Sequence, residues 1–325
     1  MQRRNFLGAM GSLGALGNMS GAFAQGFPNA PVKMIVPYSA GGGADAVARL
    51  LGQGMGEELK QSFVVDNRAG AGGMVGAEAA AKSTPDGYTL LFAGNPELTI
   101  TPWLQKATYA PLTDFTPVVL VAQSPSLLVA NASLGAKNLR SALEAARKSP
   151  AGLTIATPGN GTPHHIAVEM LRSQTGLDIV HVPYKGAGPA TVAVLGGEVS
   201  FALVGAPPLL SHIGTGKLVP LAVTQPKRSP LVPEVPTLGE AIGLMADGDF
   251  VAWYGVLVPA RTPADVVQRL EKAAFAVLNR PETKTKFATL GTDLVAMPSA
   301  QFSERMRRES KQFGETIKRF SIKSA

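Results

Sequence analysis

The feature that most restricts the fold is a strand–glycine-loop–helix unit near the start of the chain, met again further along. Met34-Ile35-Val36 reads as a short buried strand. Pro37-Tyr38-Ser39-Ala40-Gly41-Gly42-Gly43-Ala44-Asp45 follows, and Ala44, Val47, Ala48, Leu51, Met55 and Leu59 then keep a helical period. The glycines let the backbone turn tightly and approach a ligand without Cβ clashes. A helix N-terminus after such a loop suits an anion, because the free N–H groups of its first turn point into the loop. The loop lacks the Gly-Lys-Ser/Thr ending of a phosphate-binding P-loop, which favours a small carboxylate over a nucleotide. The second unit is the strand Leu153 to Ala156, then Thr157-Pro158-Gly159-Asn160-Gly161-Thr162-Pro163-His164-His165, then a helix through Ile166, Met170 and Leu171. Thr162 suits the N-cap, Pro163 the first turn, and Gly159 and Gly161 free the amides. Two such termini facing one cleft, each carrying roughly half a positive charge, would clamp one carboxylate-bearing solute.

Apolar runs at 32–37, 63–66, 88–93, 117–122, 126–130, 153–156, 179–182, 199–204, 219–223 and 251–258 read as strands. Helical patterns cover 44–60, 73–82, 97–104, 138–148, 163–175, 188–196, 207–214, 236–242, 263–278, 281–290 and 299–319. This alternation predicts an α/β architecture with largely parallel pairings. Thr84-Pro85-Asp86-Gly87 reads as a turn, Thr262 as an N-cap before Pro263, and Ser299 as the cap of the last helix. The chain is expected to form one lobe (25–123 plus 248–325), with a second lobe (124–247) inserted. Ser124-Pro125 and the proline-rich stretch Pro226 to Pro236 are the expected crossing neighbourhoods, and a ligand cleft lies between the lobes.

Residues 1–24 read as a targeting segment. Arg3 and Arg4 precede a glycine-rich, weakly apolar stretch ending in Ala22-Phe23-Ala24, so a twin-arginine type export signal and a mature start near Gln25 are expected, in a periplasmic protein. The apolar run is well short of the ~20 residues a bilayer span needs. The absence of cysteine excludes disulfides, thiolate catalysis and Cys-ligated metals. Net charge is +7, with basic residues scattered except for Arg305, Arg307 and Arg308. These alternate with Glu304 and Glu309 and read as a solvated helix face, so no nucleic-acid partner is expected.

Along nearly its whole mature length the chain resembles the tripartite tricarboxylate transporter substrate-binding proteins, or Bug receptors. The resemblance is carried by Pro37-Tyr38-x-x-Gly41-Gly42-x-x-Asp45 with Ala48-Arg49, and by Val65-x-Asn67-Arg68-x-Gly70-x-Gly72-Gly73. It continues through Pro85-Asp86-Gly87-Tyr88-Thr89-Leu90-Leu91, Gly161-Thr162-x-x-His165-Ile166 and Val182-Pro183-Tyr184-Lys185-Gly186. Gly214-x-Gly216-Lys217-Leu218 and Val235-Pro236-Thr237-Leu238 complete it. It implies a type II-like periplasmic binding protein fold whose two lobes, joined by a two-segment hinge, close on a small carboxylate. That ligand, a dicarboxylate, tricarboxylate, aromatic acid or amino acid, would be held by loop amides and waters and passed to membrane permease subunits by a monomeric receptor. The implied contacts are Tyr38, Ser39, Ala40, Gly41, Gly42, Gly43 and Asp45 from the first lobe, with Asn95. From the second come Thr157, Gly159, Asn160, Gly161, Thr162, His165 and Tyr184, with Val204 on an apolar wall where the family often has Asp or Asn.

Individual residues keep two readings. Asp45 can cap free amides of the first turn or contact a ligand or water. Tyr38 and Tyr184 can line the cleft or pack beneath the loops. His165 and Glu169 stand at i, i+4, but with His164, His181 and His212 scattered no third ligand is evident, so no metal or cofactor is expected. Trp253 and Tyr254 suit hinge and core packing. No Gly-x-Ser-x-Gly elbow exists, and no nucleophile–base pair is visible around Ser39 or Lys185. A non-enzymatic receptor is therefore expected, the alternatives being a ligand sensor for a signalling partner or a hydrolase or isomerase using the same cleft.

Overall fold

A computed structural model describes residues 26–148, 152–243 and 250–323. The expected leader, residues 1–24, lies outside the described residues. The chain runs β1 (Val32–Val36), α1 (Gly43–Leu59), β2 (Phe63–Asn67), α2 (Met74–Ala81) and β3 (Thr89–Gly94). A π-helical turn at Pro96–Ile100 and α3 (Thr101–Leu104) lead into β4 (Phe115–Ser124). It then enters a second body with β5 (Ser126–Asn131), α4 (Leu139–Ala146), β6 (Thr154–Thr157), α5 (Pro163–Thr175), β7 (Val180–Pro183) and α6 (Ala187–Gly196). That body closes with β8 (Phe201–Gly205), α7 (Leu210–Gly214), β9 (Leu218–Val223) and α8 (Leu238–Ile242). The return is β10 (Ala252–Pro259), α9 (Ala264–Leu278), α10 (Pro281–Thr289), β11 (Asp293–Pro298) and α11 (Ser299–Arg319).

Two sheets result, in the orders β11-β4-β10-β3-β1-β2 and β7-β6-β8-β5-β9. Each is covered on both faces, which explains why its strands read as near-continuous apolar runs. Val32, Met34 and Val36 of β1 face α1 and α9, where Leu51, Met55, Leu270 and Val277 are buried. Ile35 points the other way, toward Ala77 and Ala80 of α2 and Met306 of α11. In β5 the same alternation sends Leu128 and Ala130 toward α4 and α5 and Leu127 and Val129 toward α6. The two-lobed α/β expectation holds at this level.

The pairing expectation needs correction. β1 is parallel to β2 and β3, and β6 to β7 and β8, but β4, β10, β11, β5 and β9 pair antiparallel. The antiparallel strands include those that carry the chain between lobes, so they run against the βαβ strands they join. β4 ends at Ser124 in the first sheet and β5 begins at Ser126 in the second, so the chain passes between sheets at Ser124-Pro125. The second passage is not in the Pro226 to Pro236 stretch, because Val232 and Val235 are buried in the second lobe's core. The chain is back in the first sheet at β10, and just before it the Phe250 carbonyl accepts from both the Ser126 and Thr224 hydroxyls at 3.2 and 3.3 Å.

The last helix, expected wholly in the first lobe, is shared. Phe302 and Met306 pack in the first lobe's core, whereas Phe313 and Ile317 join the second lobe's. Its charges are not all solvated either. Glu304, Arg307 and Arg308 are exposed, but Arg305 and Glu309 are buried and paired at 2.6 Å.

Two cap assignments also move by one residue. The structure places Pro263 and Pro298 at the caps, while Thr262 donates to Pro259 O and Ser299 to Pro117 O. The Glu271 carboxylate caps α11 instead, accepting from the Ser299 N–H at 2.7 Å.

Candidate ligand-binding site

The parallel strands β1, β2 and β3 bring three loops to one edge, where open α/β sheets bind ligands. In the first loop Gly41 is the residue that needs glycine, with φ +82°. Gly42 has an ordinary φ of −80°, and a Cβ there would meet nothing closer than Ser39 O at 3.6 Å. Ser39 through Gly43 are exposed. Asp45 is buried and accepts from the Gly41 N–H at 2.9 Å, Arg49 Nε at 3.0 Å and Asn67 Nδ2 at 3.0 Å. Burial acts to raise this carboxyl, but the bonds from Arg49, Gly41 and Asn67 outweigh it and hold it below its usual range. With its oxygens occupied, Asp45 shapes the loop.

Glu97, which sequence patterning did not single out, lies beneath this loop with no exposed surface. It accepts from the Gly94 N–H at 2.7 Å and the Tyr38 hydroxyl at 2.8 and 3.0 Å. Tyr38 thus spends its hydroxyl on the protein, its ring edge-on to Tyr254. Burial pushes the Glu97 carboxyl up to about 7, against the downward pull of the Gly94 N–H and Tyr38.

Between the ordinary carboxyl pKa and 7, the folded chain keeps a proton that the unfolded chain has lost, so stability falls as pH rises through that window. Glu97→Gln removes the penalty. Its unfolding free energy relative to wild type should improve by about 2–3 kcal/mol between pH 5 and pH 8. Urea unfolding at both pH values measures this, and parallel pH profiles for the two proteins would show that Glu97 ionises normally.

The second loop is held from within. The Thr162 Oγ1 accepts from the His165 N–H at 3.2 Å and donates to Gly159 O at 2.8 Å, the N-cap its position predicts. His165 turns inward: its Nδ1 accepts from the Gly161 N–H at 3.3 Å, and its ring stacks on His181 at 4.5 Å. Thr157 Oγ1 pairs with His181 Nε2 at 2.7 Å and accepts from the Gly159 N–H at 3.3 Å. Tyr184 is half-buried just past β7.

Gly161 has φ +72°, and a Cβ there would lie 3.0 Å from Thr101 Oγ1 and 3.6 Å from Leu104 Cδ1. The second lobe's loop thus packs directly on α3 of the first. Thr101, which sequence patterning did not single out, lies between Gly161 and Gly72 of the Gly70–Gly73 loop, whose glycines were visible in the sequence.

Two expected site residues lie deeper than the loops. Val204 has no exposed surface and packs in the second lobe's core with Val129 and Ala156, so it is not a cleft wall. Asn95 is also fully buried. Its Nδ2 donates to Val251 O at 2.8 Å, and its Oδ1 has no partner.

Folding brings together two groups that spacing kept apart. His181 supplies the third potential ligand beside His165 and Glu169, all within 4.8 Å. Each already has a protein partner, however: Gly161 N–H for His165, Thr157 for His181, and Arg172 at 2.5 Å for Glu169. Burial first, then neighbouring positive charge, lowers both imidazole pKa values to about 4, so both are neutral. Ser126 Oγ lies 3.0 Å from His164 Nε2, a nucleophile–base distance. This pair sits buried at the hinge, Ser126 shares its hydroxyl with Phe250 O, and His164 Nδ1 has no orienting partner. It lacks the third group and the access that catalysis requires. No helix among the described residues is long and apolar enough to cross a membrane.

The model of the tripartite tricarboxylate transporter family receptor (TctC) matches residues 47–322. Protein BugT of Bordetella pertussis is 35% identical over 280 residues, covering 85% of either chain. The structure of periplasmic binding protein BugD superposes with a TM-score of 0.80 at 31% identity, over 91% of this chain and 99% of that one. The structure of Rpa4515 from R. palustris with adipate does so at 0.82 and 29%, over 92% and 99%. A family model that spans most of the chain, together with these identities, settles the assignment: the chain belongs to the tripartite tricarboxylate transporter receptor family, the solute-binding receptors that include the Bug proteins.

Proposed function

We propose that the protein is a periplasmic receptor that closes on one small organic carboxylate and delivers it to a membrane permease of the tripartite tricarboxylate type, without chemical turnover. The observation that carries this reading is that each lobe opens a helix, α1 or α5, from a glycine loop, and that the second of these loops packs with Gly161 on Thr101 of the first lobe. Free amides at two helix starts offer donors and partial positive charge to a carboxylate. Adipate, with which the similar Rpa4515 was solved, is a small carboxylate of the kind proposed. The periplasmic location rests on the family and on the twin-arginine leader expected from Arg3 and Arg4.

A thermal-shift screen of the mature chain against aliphatic and aromatic mono-, di- and tricarboxylates tests the reading. A ligand at ~100 times its dissociation constant adds about 2.7 kcal/mol to folding stability. One saturating acid, recovered unchanged by mass spectrometry, is the expected result. A product that accumulates with protein concentration would establish an enzyme instead.

A further inference from the structure

The loop amides are donors, so the cleft groups left without a partner show what else a ligand must bring. Thr101 is 3% exposed and its Oγ1 has no hydrogen-bond partner. That oxygen lies 3.6 Å from where a Cβ on Gly72 would stand and 3.0 Å from where one on Gly161 would stand, so it sits where glycine loops of the two lobes meet. Asn160, next to Gly161, has a buried Oδ1 without a partner, and an amide oxygen can only accept. On the other side, Glu97 Oε2 lies 2.7 Å from the Cβ position of Gly73, the neighbour of Gly72. Thr101 and Asn160 thus put two unpartnered oxygens at the start of α5, a helix of 13 residues whose first turn presents donors, and Glu97 lies against the neighbouring Gly73. Buried polar atoms in native proteins are nearly always paired, and a ligand that pairs them gains what an analogue without the group loses.

We propose that Thr101, with Asn160 beside Gly161 and Glu97 against Gly73, is a specificity-determining subsite for a hydrogen-bond donor on the ligand's carbon chain, a hydroxyl or an ammonium group, while the loop amides hold its carboxylate. The inference rests on the carboxylate-receptor reading and adds the donor to it. A hydroxyl is served by Thr101 and Asn160 alone. An ammonium also calls on the Glu97 carboxylate, which separates the two sources.

The test is calorimetry on matched acids: succinate, malate and aspartate; glutarate, 2-hydroxyglutarate and glutamate; benzoate, 2-hydroxybenzoate and 2-aminobenzoate. The wild-type protein should bind the hydroxyl- or amino-bearing member of one series at least tenfold more tightly than its plain analogue. Thr101→Val, which keeps the shape and removes the hydroxyl, should erase that gap by weakening only the donor-bearing acid, and Thr101→Ser should restore it. Glu97→Gln should weaken an amino acid more than tenfold and a hydroxy acid by less than about threefold. Equal wild-type affinity for plain and donor-bearing acids, or a Thr101→Val loss shared equally by both, overturns the subsite and leaves the receptor reading standing. If a protein folded by circular dichroism binds no acid of any series, the receptor reading falls and the subsite with it.

Discussion

Arg305→Met is expected to cost about 3–5 kcal/mol of folding stability. Arg305 Nε donates to Glu309 Oε1 at 2.6 Å, one turn along α11, and Trp253 Nε1 donates to Glu309 Oε2 at 2.6 Å. Both charged side chains are under a tenth exposed. Removing the guanidinium takes the ion-pair partner from a buried carboxylate that keeps the Trp253 N–H, and much of the desolvation cost of that ion then goes uncompensated. The site lies where α11 passes from the first core to the second, beside Gln123 near the end of β4 and Trp253 near the start of β10. The exchange should therefore loosen the hinge as well. Urea unfolding followed by far-ultraviolet circular dichroism gives the free energy. Adding Glu309→Gln, which removes the stranded charge and keeps an acceptor for Trp253, should recover at least half of the loss. A cost below about 1 kcal/mol would mean that the pair behaves as an exposed ion pair.

Gly161→Val should lower ligand affinity at least tenfold, or by ~1.4 kcal/mol, in a protein that still folds. Valine is strained at φ +72°, and its Cβ would press on Thr101 Oγ1 at 3.0 Å before its methyl groups are placed. The obstacle is a residue of the opposite lobe, so opening the cleft relieves it, and the closed, ligand-holding state bears the cost. Gly176→Val, at the opposite end of α5, is the matching control. At φ +62° with nothing within 4 Å of its Cβ position, it carries the same backbone strain and should leave affinity within about twofold. Calorimetry with the acid found by thermal shift, alongside circular dichroism, measures both variants. Wild-type affinity in folded Gly161→Val would remove the second loop from the site.

Much of the molecule was legible in the sequence because it depends on local spacing. α5 and α11 fall at 163–175 and 299–319 as their apolar periods predict, and Thr162 caps α5 as its place before Pro163 requires. The Ser124-Pro125 crossing and both glycine loops could be read in the same way, since a turn, a cap or a family motif is written in consecutive residues. β11 could not. Its residues are all half-buried, Ala296 has φ +49°, and the ladder to β4 is broken by a bulge, so no clean alternation marks it as a strand.

Strand direction, by contrast, was decided only by tertiary structure, because antiparallel β4, β5 and β10 follow from where the chain crosses between lobes. The same holds for Arg305 and Glu309, charged residues on the face of α11 that also carries Phe302 and Phe313. Charge suggested solvent, and burial came with the Trp253 indole, Gln123 and each other as partners. The determinants of the cleft were equally hidden. Glu97 becomes a buried acid because Tyr38 and Gly94 meet over it, Val204 leaves the wall because its face of β8 packs inward, and Thr101 gains its place because Gly161, far away in sequence, closes onto it. Local patterns specify elements and turns through short-range sterics and hydrogen bonding. Which polar groups lose water, and which find partners, depends on contacts between distant segments, and those exist only once the two lobes have folded and met.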